Sequence, residues 1–512
     1  MDRRAEFLIK AEALRPVLFE NQKKPQQAIT VSRDVNNFAI VNPTGEYHDK
    51  TLGPGESICL DFGDHYVGHL YFDFGYEGKH PDAPAWLKIQ FAERAEELFE
   101  DIDTYNGWIS KGWIQQEEIH IDILPARLSL PRRYAFRYVK ITVLDVSSRY
   151  RLALRDCHCT EYTSAEDDRF QVSPQQDPML VEIDRIAART LRNCMQDIFE
   201  DGPKRDRRLW LGDLRLQALA NYATYRNNDL VKRCLYLFAG TTSEEGMISS
   251  CLFTRPEVVA DDNYMFDYAL LFIPTLLDYW KETDDRETLI DLYPIAKRQL
   301  ELANRQFDET GVIRDSDVLG WCFVDWNLDL NKQASAQAIY LYCLKAMREL
   351  ATALDDCETV TILDADFIKK QKASMSAFWD SSQKVFTSGT DKQISFASQI
   401  WMVLAGVIEG DAARDLLRRI ETFPDAVHIV TPYLYHHYIS ALLLLNMKDE
   451  ALDEMKYYWG GMIAKGADTF WELFDPENPD ASPYGGTIVN SYCHAWSCTP
   501  AYLIRKHLKD LL

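Results

Sequence analysis

The chain has 512 residues, 46% hydrophobic and 26% charged, a composition that excludes a wholly disordered protein. Its formal net charge of −23 opposes phosphate backbones and anionic lipid, and no basic stretch of useful length offsets it, so neither nucleic acid nor membrane is expected as a partner. No apolar run reaches the roughly 18 residues of a transmembrane helix.

The N-terminal stretch MDRRAEFLIKAEALRPVLFE has early charge but no apolar core of the kind a secretory leader carries. There are 11 cysteines, most inside apolar stretches such as those around Cys234 and Cys343. That pattern reads as reduced, buried thiols and favours a cytoplasmic location, or a periplasmic or secreted one if a leader has been removed. Cys157-His158-Cys159 lacks two further ligands at finger spacing, so alternation along a strand explains it better than zinc. No metal site and no cofactor is predicted.

Up to about residue 165 the patterns are short and strand-like. Residues 57–62, 69–74, 86–91, 118–123 and 138–143 alternate apolar and polar side chains, rich in β-branched and aromatic types and punctuated by Gly, Pro, Asn and Asp. They predict an N-terminal β-sandwich domain over residues 1–165. Beyond residue 170 the period becomes helical. Helix-length segments fall near 176–198, 213–227, 229–239, 264–282, 285–306, 333–356, 364–378, 393–407, 411–421, 430–445, 447–465 and 489–511. A dozen helices in one domain must pair and close to bury their apolar faces. An (α/α)6 barrel over residues 166–512 does so; an α-solenoid would also, but no fixed-period repeat supports one.

Four loop regions in this half concentrate acids and aromatics. They are Asp201 to Asp213, Asp261-Asp262-Asn263-Tyr264, Gly320 to Trp326, and Thr469 to Asp475 followed by Tyr484-Gly485-Gly486 and Ser491 to Trp496. Carboxylates beside tryptophans suit sugar chemistry. Aromatic faces stack on pyranose C–H faces, and glycoside hydrolysis needs one carboxyl as proton donor and a second, ionised one to activate water or attack carbon. An apolar wall raises a carboxyl's pKa and so helps make the acid. Each loop taken singly is more often a solvated cap with ion pairs, and Trp beside an acid more often a core anchor beside an N-cap.

The run Asp201-Gly-Pro-Lys-Arg205-Asp206-Arg207-Arg208-Leu-Trp210-Leu-Gly212-Asp213 resembles the signature loop of family 78 glycoside hydrolases, the α-L-rhamnosidases. Asp325-Trp326, Trp471-Glu472 and His494 resemble further segments of that family, and Leu60-Asp61-Phe62-Gly63 with Phe136-Arg137-Tyr138-Val139 resemble its sandwich. The resemblance spans roughly residues 50–505 and implies an (α/α)6 barrel whose chemistry inverts the anomeric centre on a terminal α-L-rhamnoside or related sugar. By the same resemblance Glu472 is the general base and Asp206 the general acid, with Asp213 as the alternative acid. Asp201, Arg205, Trp210, Asp262, Asp325, Trp326, Trp471, His494 and Trp496 become candidate sugar contacts, with Asn263 beside them.

One departure bears on activity. The family's acid is the Glu of R-D-E-R, whereas this loop reads Arg205-Asp206-Arg207-Arg208 and is one residue shorter. Counting from Asp201 puts Arg207 in the acid's slot, and arginine cannot give up a proton at working pH. Counting back from Gly212-Asp213 puts Asp206 there, the preferred alignment because Trp210, Gly212 and Asp213 then match. Two other readings stand: a non-catalytic sugar-binding protein derived from a hydrolase, and an (α/α)6 hydrolase of an unsaturated uronyl sugar drawn to Arg205, Arg207 and Arg208. A carbohydrate substrate is expected, and a homo-oligomer is left open.

Overall fold

The computed structural model describes residues 3–34, 39–167, 170–171, 177–315, 321–479 and 481–508. After a first helix, α1 (Arg3–Ala13), ten strands follow: β1 (Phe19–Lys23), β2 (Gln27–Arg33), β3 (Ala39–Gly45), β4 (Lys50–Leu52), β5 (Ser57–Gly78), β6 (Ala85–Ala92), β7 (Gln116–Ile121), β8 (Ala126–Ser129), β9 (Tyr134–Asp145) and β10 (Tyr150–Thr163). All pair antiparallel; six run in the order β1-β10-β5-β9-β6-β7, while β2 pairs with β3 and β5, β4 with β10 and β8 with β5. The long β5 serves two sets of neighbours. Its first half pairs with β2 and β9 and its second with β8 and β10, with a register break between Asp61 and Tyr66. Leu60, Phe72, Leu87, Ile89, Val139 and Leu152 are buried in the core so enclosed. Cys157 and Cys159 point into it, while His158 faces the other way and stacks on Tyr71 at 5.0 Å. That is the alternation of a strand.

Among the described residues twelve α-helices follow: α2 (Pro178–Cys194), α3 (Leu211–Ala223), α4 (Asn228–Gly240), α5 (Phe266–Thr283), α6 (Arg286–Asn304), α7 (Gln333–Ala353), α8 (Cys357–Phe378), α9 (Phe396–Ala405), α10 (Gly410–Ile420), α11 (Pro432–Leu444), α12 (Lys448–Ala464) and α13 (Pro500–His507). The odd-numbered helices from α3 to α13 contact one another in sequence, and α13 returns to α3, closing a ring of six. The even-numbered ones from α2 to α12 pack outside it. The sequence pattern explains the division. Every residue of inner helix α9 is buried, as a helix apolar all round requires. Outer helix α10 buries only Ala413, Leu416, Leu417 and Ile420, a single stripe at three- and four-residue spacing. The result is an (α/α)6 barrel.

Local chemistry sets the helix starts. Asp177, Asn227, Asp285, Asp356, Ser395 and Thr431 each accept a backbone N–H of the first turn, and Pro178 and Pro432 occupy first helical positions. Two predicted segments differ. The one near 364–378 begins earlier, at Cys357, behind the Asp356 cap. Of the one near 489–511, the described residues are α-helical over 500–507, because the backbone ahead of it is bonded elsewhere: Tyr492 N–H donates to Glu93, His494 N–H to the Phe470 carbonyl and Ala495 N–H to that of Asp201. The N-terminal residues, expected in the sandwich domain, also differ. Helix α1 instead packs on α4 and buries Phe7 and Ala11 in the helical core.

Candidate active site

A cavity of about 390 Å³ opens at the N-terminal ends of α3 and α5, lined by Asp213 and Tyr268 from those helices. The loops before the inner helices supply Asp201, Arg205, Asp206, Arg208 and Trp210, then Asp261, Asn263 and Met265, then Trp321, Phe323 and Trp326, and finally Glu472, Tyr484, His494 and Trp496. One wall comes from the β domain: Trp108, Ile109, Ser110 and Trp113, in the segment between β6 and β7.

The loop from Asp201 to Asp213 is closed on itself. Asp201 N–H donates to the Arg208 carbonyl at 3.0 Å, and its Oδ1 accepts the Arg208 N–H at 2.9 Å. Gly202 permits this fold, because a Cβ there would lie 2.5 Å from the Arg205 carbonyl oxygen and 2.7 Å from Ser491 Oγ. Arg207 takes a left-handed conformation at φ 62° and turns its side chain out of the cavity. There it donates to the Arg133 carbonyl at 2.9 Å and lies over Trp113. Asp206, not Arg207, therefore lines the cavity. Gly212 has a similar function at the start of α3: a Cβ would meet the Tyr268 ring at 2.4 Å, so only glycine lets Tyr268 close over Asp213.

Glu472 lies opposite, in the segment after α12. Arg205 Nη2 donates to its Oε2 at 2.6 Å and the Tyr484 hydroxyl to its Oε1 at 2.5 Å. Trp496 Nε1 donates to its carbonyl at 2.9 Å. Arg205 also reaches Asp206, Nη1 to Oδ1, at 3.5 Å. Burial works against the Arg205 charge, but Glu472, Tyr484 and Asp206 more than restore it and raise its pKa. The β domain secures the loop that brings Tyr484. Tyr105 donates to the Tyr484 carbonyl at 2.8 Å, Trp108 Nε1 to that of Pro483 at 2.9 Å, and Glu100 accepts from Thr487 Oγ1 and from Ile488 N–H.

Two acids and a histidine form the cavity floor. Burial raises the carboxyl of Asp213 far above its ordinary range, and the nearby Glu472 charge adds to it. Burial does the same to Asp201, with Asp206 and Asp213 adding to it. Burial and then the Arg205 charge depress His494 to about 3, so its ring is neutral at working pH. Asp213 Oδ1 and His494 Nδ1, 3.7 Å apart, have no hydrogen-bond partner among the described residues. Buried polar atoms left open cost about 1–3 kcal/mol each unless something pairs with them. A hydroxylated ligand would.

Of the residues singled out from sequence, Asp206, Glu472, Asp213, Asp201, Arg205, Trp210, Trp326, His494 and Trp496 line the cavity. Three do not. Asp325 is buried, accepting the N–H groups of Val430 and Thr431 and the Thr431 hydroxyl, and so holds the start of α11. Trp471 is buried behind Glu472, beneath the Arg94 guanidinium at 4.4 Å. Asp262 is exposed between two lining residues, Asp261 and Asn263, and does not cap α5, which starts at Phe266. Gly320 of the third loop lies outside the described residues. Sequence reasoning assigned no role to Tyr484, although it falls in a quoted segment, and passed over Tyr268 and the β-domain wall altogether. The Trp108 and Trp113 pair was the available signal: two tryptophans five residues apart outside any strand pattern.

An (α/α)6 barrel with paired carboxyls among aromatic walls at one mouth defines a glycoside hydrolase of the six-hairpin class. Residues 25–161 match the family model of the glycosyl hydrolase family 78 alpha-rhamnosidase N-terminal domain, and residues 172–508 that of the bacterial alpha-L-rhamnosidase 6 hairpin glycosidase domain. The chain belongs to glycoside hydrolase family 78 and is a glycosidase. It is similar to a solved rhamnosidase from Klebsiella oxytoca with rhamnose bound, at 46% identity over 98% of each chain and a TM-score of 0.95. The family 78 rhamnosidase of Bacillus sp. GL1 shares the fold at 20% identity and a TM-score of 0.76, over 92% of this chain and 49% of that one. The α-L-rhamnosidase of Streptomyces avermitilis does so at 15% identity and 0.60, over 90% and 43%. Comparison with curated proteins finds no match.

Proposed function

We propose that the protein is an inverting α-L-rhamnosidase that removes a terminal α-L-rhamnosyl residue from a glycan or glycoconjugate. The observation that carries this reading is a pair of carboxylates across an aromatic-walled cavity, in a chain nearly half identical over its full length to a rhamnosidase solved with rhamnose bound. Glu472 is the general base. Arg205 and Tyr484 fix its two oxygens, so the remaining lone pairs have one direction in which to take a proton from water. Asp206 is the general acid. Its side chain is 23% exposed, on the side where a leaving group meets solvent, whereas Asp213 is sealed in the floor. The proton donor must reach the glycosidic oxygen between the enclosed sugar and the departing group, and Asp206 is the acid so placed. Asp213, whose carboxyl burial pushes up, and neutral His494 hydrogen-bond the sugar's hydroxyls, and Trp210, Trp326 and Trp496 pack on its ring.

The uronyl reading finds little support. Arg205 is committed to Glu472, Arg208 lies 3.7 Å from Asp261, and Arg207 is outside the cavity, which leaves no cation among the described lining residues to meet a substrate carboxylate. The test is hydrolysis of a panel of aryl glycosides by wild type and Glu472→Gln. Turnover of the α-L-rhamnoside that is lost in the variant is the expected result; turnover of another sugar alone would overturn the reading.

A further inference from the structure

The barrel has a second cavity. It lies among the later turns of the inner helices, opposite the active-site mouth, and at about 560 Å³ it is larger than the active-site cavity. All six inner helices line it, with Leu219 from α3, Asp278 from α5, Ala346 from α7, Leu404 from α9, His437 from α11 and Tyr502 from α13. Its volume is in the ordinary range of small-molecule sites, and its walls combine apolar faces with a few placed polar groups.

Two of those groups are incomplete. His436 and His437 are 2% and 1% exposed, and both line this cavity. The Nδ1 of His437 is bonded to the Tyr433 carbonyl at 2.8 Å and must donate to it, which leaves Nε2 as an acceptor. That Nε2 has no partner among the described residues, and neither has Nδ1 of His436. Burial holds both rings neutral, with a second push on His436 from His437 and on His437 from Arg215. His437 Nε2 thus calls for a hydrogen-bond donor, and His436 Nδ1 for a group that can donate or accept.

Most of the charged groups around them are already matched; Lys345 also lines the cavity and feels the charges of Glu409 and Glu349. Arg215 pairs with Asp278 at 3.1 Å and donates to the Tyr342 hydroxyl at 2.6 Å. At the rim, Lys281 pairs with Glu349 at 2.6 Å. A ligand carrying a full charge would have to break one of these pairs or compete with Glu349 and Glu409 for Lys345. The ends of helices that converge here present carbonyl oxygens, which also favour donors. The complement of such a surface is a molecule with several hydroxyls and one apolar face.

We propose that this cavity is a second binding site, built for a small neutral polyhydroxylated molecule about the size of a monosaccharide. Its hydroxyls donate to His437 Nε2 and satisfy His436 Nδ1, while Leu219, Leu277 and Pro274 pack on its apolar face. The proposal does not rest on the rhamnosidase reading, since it uses no residue of the active site.

The histidines separate the two sites in one experiment. His494 lines the catalytic cavity, and His436 and His437 line the second. In protein labelled with 15N-histidine, the ring nitrogen signals are followed during titration with L-rhamnose, D-glucose, myo-inositol and glycerol. Variants His436→Gln and His437→Gln assign the two signals. Saturable shifts of the His436 and His437 signals with at least one of these compounds are expected. They should vanish in Ala346→Phe, which fills the cavity, while any His494 response persists. Should that variant fail to fold, Ser440→Phe replaces it. Static His436 and His437 signals throughout the panel, whatever His494 does, would mean that the cavity holds only water and would overturn the proposal. A silent His494 beside moving His436 and His437 would count against the rhamnosidase reading alone.

Discussion

Arg205 holds Glu472 by a charged hydrogen bond of 2.6 Å, and the other arm of the same guanidinium comes within 3.5 Å of Asp206. Those two contacts and the width of a guanidinium keep the nearest oxygens of Asp206 and Glu472 within roughly 8 Å of each other, below the upper limit of about 9.5 Å for an acid and a base that share a water. One arginine thus spaces the pair. Arg205→Lys keeps the charge but loses the planar fork. It should lower kcat at least tenfold with a smaller change in KM, measured by steady-state kinetics on p-nitrophenyl α-L-rhamnoside.

Substitution of the two carboxylates should separate by leaving group. Glu472→Gln removes the base and should cost on the order of 10²–10⁴ in kcat on every substrate. Asp206→Asn should cost little on p-nitrophenyl α-L-rhamnoside, whose leaving group departs without a proton, and about as much as the base on a rhamnoside of an aliphatic alcohol. An equal loss on both substrates would remove Asp206 from the acid's place.

Asp213 predicts a pH dependence. Its carboxyl is held far above the ordinary value of 3.8 by burial, so the folded protein binds a proton that the unfolded chain releases above about pH 4. Stability from this group is present at low pH and is lost as pH rises from there through the folded-state pKa. Asp213→Asn, which keeps the shape without the charge, should therefore melt above wild type at pH 8, with the advantage shrinking toward pH 4. Thermal unfolding across that range measures it, and a constant difference at all pH values would contradict the assignment.

The barrel was legible because its helices differ in kind. An apolar stretch such as 396–405 and a striped one such as 410–420 announce inner and outer positions by residue pattern alone. The loops were legible only to within one residue. In these irregular loops neighbouring side chains face opposite sides. Glu472 faces the cavity while Trp471 faces the core. Trp326 faces in and Asp325 away, and Asp261 and Asn263 flank the cavity while Asp262 meets solvent. A sequence motif marks the stretch without the phase. The wall of Trp108 and Trp113 was hidden for another reason, since only the docking of the β domain brings it to loops several hundred residues away.

That wall predicts a binding role for the β domain. Trp108 is 69% exposed at the cavity's edge, with its ring 5.6 Å from that of Tyr484. A ring contact of this kind contributes about 0.5–1.5 kcal/mol. Trp108→Ala should raise KM roughly two- to tenfold for rhamnosides with a second ring beyond the scissile bond. Inhibition by free L-rhamnose, which fills only the inner part of the cavity, should change less than twofold.

The most direct test of the account is the anomer released first. Hydrolysis of p-nitrophenyl α-L-rhamnoside by wild-type protein, followed by proton NMR before mutarotation, reports it within minutes. A water activated by Glu472 on the face opposite Asp206 predicts β-L-rhamnose as the initial product, with the α anomer growing in afterwards. Initial α-L-rhamnose would contradict the account, because it would make one of the two carboxylates a nucleophile rather than a base.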